Sequence, residues 1–400
     1  MSSINGERDV PKLPYRKILS AVIIWRLSLF FVGWLATFIL SYSPSFPYAK
    51  EILNSMGLPR WVSAWGGFDG VHYLTIASKG YFGTAFIQAF FPVFPLLISF
   101  IQHFFVYKLL SFVMILVFQV IILYFLLILF MSLINIDKKS NVSYWSVVAL
   151  LFFPTSFFFG AIYGEGIFLF FIFASLLAAR KRYWWVAGLF GAFASATRIV
   201  GVAIWPALLI ELWLQQSKTE VTVENIVSFI KIFQLKILAV SLSFLGLFIY
   251  MFYLWKNFND PLYFFHVQSL FGAGRESSIV LLPQVVWRYF KILTTVPFDL
   301  KFYAYLQEFA VSMLFLGLLV FCWKKIRFSY LVFSVLVYLL PTLTGTFSSM
   351  PRYVLVCFPV FILIGEWLSK YPKIRPYYFF ISGLFAVVNT ILFIQGYWVA

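Results

Sequence analysis

The sequence predicts an all-α fold, a polytopic transmembrane helical bundle with about 11 spans of about 20 residues each. Hydrophobic residues make up 62% of its 400 positions and charged residues only 11%, against roughly 25% charged residues in a soluble globular protein. The apolar runs recur along the whole length. Neither a soluble domain nor an internal repeat interrupts them, so residues 1–400 are predicted to form a single integral membrane domain.

The basic residues sit in short clusters between the apolar runs, as the positive-inside rule describes. This distribution accounts for the net charge of +16 without a nucleic-acid partner. A cytoplasmic N-terminus places five basic clusters inside, at residues 138–139, 180–182, 218–236, 324–327 and 370–375. The first apolar run is predicted to be a retained span, because it is longer than a signal-peptide core and lacks a small-residue cleavage site. The spans are predicted at residues 18–43, 109–134, 144–160, 162–179, 184–198, 199–214, 236–256, 303–323, 328–345, 353–369 and 377–397.

Two segments decide how many times the chain crosses the membrane, and therefore on which side each later loop lies. The apolar stretch 90–107 is predicted to be an interfacial or re-entrant helix, since counting it as a span would move the cluster at 180–182 to the outside. Residues 185–214 must conversely cross twice, as two short helices that meet near Arg198. With these choices the unusual polar residues gather on the outer side.

The outer side is predicted to carry two long loops, residues 44–108 with juxtamembrane helices and residues 257–302. Asp69 is an acid in the conspicuous motif of the first loop, and an ionisable group close to a bilayer is a functional candidate. His72 follows one helical turn later. Four further outer residues join them as candidates, namely Glu165, Arg198, Arg275 and Arg352.

The composition excludes several kinds of site. A Gly-rich phosphate loop and a nucleophile elbow are both missing, so nucleotide-driven chemistry is not predicted. Two cysteines and three scattered histidines predict no metal site, and no cofactor is expected. A carboxylate can instead take a proton from an acceptor hydroxyl, while guanidinium groups hold a phosphate leaving group. These groups suit transfer of a sugar from a lipid phosphate.

Several motifs, in this order, resemble the mannosyltransferase family that adds the second mannose in glycosylphosphatidylinositol synthesis, the PIG-V-like family, whose prokaryotic relatives share the pattern. The first is FDGVHYLTIA at 68–77 with Gly80 and Tyr81, followed by AFFPVFPLL at 89–97. The others are FPTSFF at 153–158, YGE at 163–165, ASATR at 194–198, DPLYF at 260–264 with Gln268 and Arg275, PRY at 351–353 and FP at 358–359. The family commonly has Trp where this chain has Phe68.

The resemblance implies a GT-C glycosyltransferase, a helical membrane enzyme with an acidic catalytic loop after its first span. It implies that the carboxylate of Asp69 is the catalytic base and that Arg198 and Arg352 contact the donor phosphate. The expected partners are a polyprenyl-phosphate or dolichyl-phosphate sugar donor, a glycolipid or glycan acceptor, and membrane lipids. The expected reaction is inverting transfer of a hexose, most simply mannose, at the outer face of the plasma membrane in a prokaryote or of the endoplasmic reticulum membrane in a eukaryote.

Each candidate also has a structural interpretation. Asp69 suits the N-cap of a juxtamembrane helix, and His72 could be a hydrogen-bonded structural residue. Glu165 could bind an acceptor hydroxyl or lie solvated in a turn. Arg198, Arg275 and Arg352 could be interface anchors, and Arg26, inside the first span, is assigned to packing. The alternative function is a transporter or flippase of a lipid-linked sugar, which would use paired discontinuous helices in two repeated halves.

Overall fold

The computed structural model describes residues 15–216, 222–271, 274–276 and 278–399. Lys218, in the predicted basic cluster 218–236, lies outside this part. The described residues contain α-helices and short 3₁₀ and π turns but no strand. The α-helices are α1 Tyr15–Ile39, α2 Arg60–Ser63, α3 Asp69–Lys79, α4 Val93–Phe104, α5 Lys108–Ile134, α6 Ser140–Leu151, α7 Glu165–Arg180, α8 Trp184–Ser195, α9 Ile204–Gln216, α10 Val223–Ser241, α11 Leu245–Phe258, α12 Tyr263–His266, α13 Leu282–Thr295, α14 Leu300–Cys322, α15 Phe328–Thr342, α16 Met350–Tyr353, α17 Phe358–Lys370 and α18 Arg375–Ile394.

Six helical stretches of the described chain are long and apolar enough to cross a membrane. They are Tyr15–Ile39, Lys108–Ile134, Ile199–Gln216, Val227–Phe258, Leu300–Cys322 and Pro372–Ile394. A seventh is obtained if Met350–Val356 and Phe358–Lys370, which meet at 76°, count as one broken span. The protein is therefore an all-helical, polytopic integral membrane protein, as predicted.

The predicted number of about 11 spans is not established by the structure. Four of the predicted spans are occupied by the shorter helices α6, α7, α8 and α15. α7 has 16 residues, so it is about 24 Å long at 1.5 Å per residue, and most of its side chains are buried. Its apolar sequence therefore reflects packing against neighbouring helices as well as the lipid environment.

Both segments that decided the number of crossings contain short helices. α4 has only 12 residues, too few to span a bilayer, and it packs against α3 and α5. Between α8 and α9 the chain is extended at Arg198, with φ −154° and ψ 145°. The break near Arg198 is confirmed, and it turns that side chain away from a continuous helix.

The packing of α8 against its neighbours depends on glycine. A Cβ atom on Gly188 would lie 1.8 Å from the carbonyl oxygen of Ala239 in α10. A Cβ atom on Gly246 in α11 would lie 2.0 Å from the carbonyl oxygen of Ala192. The absence of side chains at these positions lets the backbones approach closely, as small residues do at transmembrane helix interfaces.

Three of the five predicted basic clusters, at residues 138–139, 180–182 and 324–327, come together at one end of the bundle. Arg180, at the end of α7, forms an ion pair with Asp137 at 2.5 Å, and Arg327 contacts the buried Glu211 at 2.6 Å. Lys138 pairs with Glu366 at 3.1 Å. Glu165, one of the predicted site residues, lies at the other end of α7, so the basic end and the predicted site are separated by the length of that helix.

Arg26 is buried inside the bundle, with 4% of its surface exposed. Its guanidinium carbon lies 4.1 Å from the ring centre of Phe30 and 4.5 Å from that of Trp65. These aromatic contacts compensate part of the cost of an embedded cation, and the packing role predicted for Arg26 matches its position between helices.

Candidate active site

A cavity of about 1000 Å³ opens among the segments that were predicted to lie on the outer side. Residues of the first loop, the start of α7, the break before α9, the region before α13, and α16 all contribute to its wall. The six predicted site residues all line it, namely Asp69, His72, Glu165, Arg198, Arg275 and Arg352. The fold thus brings together side chains that lie far apart in sequence.

Asp69 is the first residue of α3, and the backbone before it is strained. Phe68 has φ 52° and ψ −118°, a conformation that non-glycine residues seldom adopt and that concentrates at functional sites. The structure does not support the alternative that Asp69 caps the helix, because Phe68 occupies the N-cap position. Asp69 instead directs its carboxylate to Arg352.

Tyr163 fixes the start of α3 against the neighbouring loop. The Asp69 N–H donates a hydrogen bond to the Tyr163 hydroxyl at 3.2 Å. The side-chain amide of the buried Gln119, in α5, donates to the Tyr163 carbonyl oxygen at 2.8 Å. The backbone that carries Asp69 is therefore held through Tyr163 to a long helix of the bundle.

Two acids and two arginines form a continuous ion-pair cluster in the cavity wall. Arg352 donates a hydrogen bond to the carboxylate of Asp69, and its Nε lies 3.4 Å from Oε1 of Glu165. Arg198 contacts the same Oε1 at 2.6 Å. Glu165 is 2% exposed, so its alternative interpretation as a solvated turn residue is wrong; buried acids are kept when cations and hydrogen bonds satisfy them.

The position of Arg352 depends on the FPTSFF motif. The Thr155 hydroxyl donates a hydrogen bond to the Pro351 carbonyl oxygen at 2.5 Å. Ser349, just before α16, has a left-handed backbone with φ 68°, so the chain turns sharply before Arg352. These local constraints aim the guanidinium into the cavity, where 6% of its side-chain surface is exposed, and the interface-anchor alternative does not describe it.

Arg275 approaches the same cluster through Tyr353. It donates to the Gln268 side-chain oxygen at 3.1 Å and to the Tyr353 hydroxyl at 3.4 Å. Arg352 also donates to this hydroxyl at 3.4 Å, and the Arg198 guanidinium lies 5.0 Å from the Tyr353 ring centre. Tyr353 is thus surrounded by three guanidinium groups, an arrangement that concentrates positive charge suited to a phosphate.

The electrostatics favour an ionised Asp69. Burial opposes its ionisation, but the charge of Arg352 and the hydrogen bond from it lower the pKa of Asp69 below its ordinary value. For His72 burial lowers the pKa, and the nearby Asp69 opposes this change only in part. The His72 ring stacks on Phe90 at 5.1 Å between ring centres. Because burial lowers its pKa below the ordinary value of about 6.5, the ring is neutral at pH 7.

The cavity also contains an acid that the sequence interpretation missed. Glu308 lies in α14 and lines the wall with only 1% of its surface exposed. Tyr289 and Trp398 line the cavity beside it. An ionisable residue in the middle of an apolar run is a functional candidate. Glu308 could therefore have been recognised as a candidate site residue from its position within the predicted span 303–323.

Metal-binding geometry is not seen in the described ranges, where no group of three or more His, Cys, Asp or Glu side chains could hold an ion. The family model described as Mannosyltransferase (PIG-V) matches residues 58–316, close to two-thirds of the chain. This range contains Asp69, Glu165, Arg198 and Glu308, whereas Arg352 follows it. Neither the curated proteins nor the solved structures contain a match to the chain.

Proposed function

Since the chain belongs to the PIG-V mannosyltransferase family, we propose that it transfers mannose from a polyprenyl-phosphate or dolichyl-phosphate donor to a lipid-linked or glycan acceptor, with inversion at the sugar carbon. Membership makes the protein a membrane glycosyltransferase, so the transporter alternative is not needed. The observation that carries the finer proposal is the cluster of Asp69, Glu165, Arg198 and Arg352 in one cavity.

Asp69 acts as the general base. Its carboxylate takes the proton of an acceptor hydroxyl while that oxygen attacks the anomeric carbon of the donor sugar. The bond between the anomeric carbon and the phosphate oxygen breaks, and the lipid phosphate leaves with the bonding electron pair. A base of this kind contributes typically about 10²–10⁴-fold in rate, and one displacement inverts the anomeric configuration.

The arginines stabilise the departing phosphate. Glu165 contacts both Arg198 and Arg352 and so orders their guanidinium groups. Preordered cations stabilise the negative charge that develops in a transition state. A donor phosphate that binds Arg352 competes with Asp69 for the same guanidinium. The pKa of Asp69 then rises towards its ordinary value, and the carboxylate becomes a stronger base when donor is bound.

The proposed face is the outer one, with the N-terminus in the cytoplasm. The basic clusters around Arg180, Lys138 and Arg327 lie at the far end of α7 from Glu165. Because positive residues collect on the cytoplasmic side, this arrangement supports an outward-opening cavity. A lipid donor keeps its tail in the bilayer and needs to present only its phosphate and sugar at that face.

The direct test is a transfer assay with purified protein in lipid nanodiscs. Synthetic mannosyl-phosphoryl-polyprenol is supplied with a membrane lipid extract, and mannosylated products are followed by mass spectrometry. Asp69→Asn is expected to reduce transfer by about 10²–10⁴-fold, whereas Glu51→Gln, which changes an exposed acid in the same loop, keeps the wild-type rate. Transfer by Asp69→Asn within a few-fold of wild type would overturn the assignment of the base.

A further inference from the structure

Glu308 is held in an unusual way for a buried acid of this protein. Its Oε2 accepts a hydrogen bond from the Tyr289 hydroxyl at 2.5 Å, and its Oε1 accepts one from the Trp398 indole N–H at 3.1 Å. The buried Glu211, by comparison, contacts both Arg327 and Arg180. Within the described part of the chain, Glu308 forms no ion pair with a basic side chain.

This arrangement leaves capacity for a ligand. A carboxylate offers about four lone-pair sites. The Tyr289 hydroxyl, the Trp398 N–H and the backbone N–H of Ser349 use three of them, which leaves one for a ligand hydroxyl. A buried acid is expensive to keep, and the absence of an ion pair among the described residues argues against a purely structural role. Glu308 lies in the wall of the cavity together with the rings of Tyr289, Tyr305, Tyr397 and Trp398.

Aromatic rings beside a carboxyl group are the chemistry that recognises a sugar. The apolar C–H faces of a pyranose ring pack on aromatic rings, and its hydroxyl groups donate hydrogen bonds to carboxyl oxygens. A phosphate group, in contrast, is repelled by a carboxylate and favoured by the guanidinium groups near Asp69. The chemistry around Glu308 therefore fits a sugar ring better than it fits the donor phosphate.

Two contacts connect this region to the proposed base. The rings of Trp398 and Phe68 meet edge to face with their centres 5.8 Å apart, and Phe68 directly precedes Asp69. Arg275 is close enough to interact electrostatically with both Asp69 and Glu308. A sugar ring that packs on the ring of Trp398 and donates to Glu308 is thus on the side of Phe68, which precedes the residue that has to receive its proton.

We propose that Glu308, Tyr289 and Trp398 form the acceptor subsite, which binds a hexose ring of the acceptor through its hydroxyl groups. Glu308 takes part in no bond-making step; it accepts a hydrogen bond from one hydroxyl of the ring so that a neighbouring hydroxyl points to Asp69. This inference rests on the proposed function, because it names the substrate that the second part of the same cavity binds. It assigns Glu308 to acceptor affinity and Asp69 to the chemical step.

The experiment separates acceptor binding from donor chemistry. Purified protein in nanodiscs receives synthetic mannosyl-phosphoryl-farnesol, and two rates are measured: release of free mannose without acceptor, and transfer to octyl glucoside, octyl mannoside or octyl galactoside over a range of concentrations. Glu308→Gln is expected to raise the KM of the best octyl hexoside at least tenfold and to leave the KM for donor and the rate of donor hydrolysis within twofold. Trp398→Phe, which keeps a ring and removes the N–H donor, is expected to raise the same KM several-fold.

Glu366→Gln is the matched control, because Glu366 pairs with Lys138 at the basic end and should change neither rate. An unchanged hexoside KM in both Glu308→Gln and Trp398→Phe overturns the inference, as does a wild-type enzyme that hydrolyses donor but uses none of the octyl hexosides. If Glu308→Gln does not fold, Trp398→Phe alone decides. A wild-type protein that neither hydrolyses nor transfers the donor sugar contradicts the proposed function itself, which is a different result.

Discussion

Arg352 donates a hydrogen bond to the carboxylate of Asp69 across a separation of 283 positions in the sequence. The same guanidinium lies 3.4 Å from Glu165, so one arginine serves two acids. Any anion that binds Arg352 therefore changes the environment of Asp69. In the proposed mechanism, this sharing makes the pKa of Asp69 dependent on the binding of donor phosphate to Arg352.

Replacing Arg352 by alanine should expose this dependence in the pH profile. In the wild type Arg352 keeps the pKa of Asp69 below its ordinary value, so the carboxylate stays ionised throughout the range from pH 7 to pH 5. In Arg352→Ala burial acts with much less opposition, the pKa rises, and the residual rate should fall as the pH drops from 7 to 5. Transfer rates of the wild type, Arg352→Ala and the control Arg60→Ala measured from pH 5 to pH 7 test this prediction. Identical normalised pH profiles of Arg352→Ala and the wild type would contradict it.

The ion pair between Asp69 and Arg352 also predicts how the stability of the fold depends on pH. A carboxylate whose pKa is lowered by folding stabilises the fold above its unfolded pKa of about 3.9, and this contribution is lost as the pH falls through the folded value. Removing Arg352 takes a cationic partner from Asp69, whose side chain is 23% exposed, and from the buried Glu165, which costs up to about 3–5 kcal/mol, the range for a fully buried pair. Thermal unfolding of Arg352→Ala at pH 7 should therefore show a clearly lower Tm than that of the wild type.

His72 should give the fold a second sensitivity to pH. Burial lowers the pKa of His72 relative to its ordinary value of about 6.5, so the unfolded chain binds a proton more readily than the folded one. Stability at this site is full above about pH 6.5 and falls at lower pH. His72→Gln should flatten the Tm profile between pH 7 and pH 5. The exposed His103 is the control, and an equal effect of His103→Gln would refute the assignment.

Glu165→Gln should separate arginine orientation from base chemistry. Glu165 holds Arg198 at 2.6 Å and Arg352 at 3.4 Å, and loss of its charge weakens both contacts. Misplaced guanidinium groups bind the donor phosphate less well, so the KM for mannosyl-phosphoryl-farnesol should rise about tenfold, equivalent to about 1.4 kcal/mol. Steady-state kinetics at varied donor concentration measure this change. A fall in kcat with an unchanged donor KM would argue for a different role.

The close packing around α8 predicts a strong difference between two glycines. Gly188→Ala places a Cβ atom 1.8 Å from the Ala239 carbonyl oxygen, whereas a Cβ atom on Gly317 in α14 meets nothing within 4 Å. Gly188→Ala should destabilise the protein by about 1–3 kcal/mol or more, because the helices must separate. Gly317→Ala should be neutral or stabilise by up to about 1 kcal/mol. Thermal unfolding in one detergent compares them, and equal Tm values would disprove the packing argument.

A chelator should leave the transfer rate unchanged. Arg198, Arg275 and Arg352 surround Tyr353, and guanidinium groups can neutralise a monophosphate leaving group. Transfer assayed after treatment with EDTA should match the untreated rate within error. Loss of activity that manganese restores would instead indicate metal-assisted departure of the phosphate.

Much of the candidate site could be predicted from local sequence. Asp69, Glu165 and Arg352 stand out because ionisable residues are rare in this chain, and the order of their motifs gave the family. Glu308 carried the same signal within an apolar run but was counted as part of a span. The ion pairs could not be predicted. The sequence around Arg198 does not reveal whether this side chain contacts Glu165, as it does in the structure, or a lipid headgroup at the membrane interface.

The sequence alone determined that this protein is helical, embedded in a membrane and related to PIG-V mannosyltransferases. Hydropathy and short motifs are properties of local sequence, and the order of the motifs is visible along the chain. Only the tertiary structure decided that Arg352 lies between Asp69 and Glu165, that Thr155 supports the turn before Arg352, and that Glu308 faces the same cavity. These relationships depend on helices that are distant in sequence and packed against one another around the cavity. Their geometry follows from side-chain volume and from the need to satisfy buried charges, which a linear pattern does not encode.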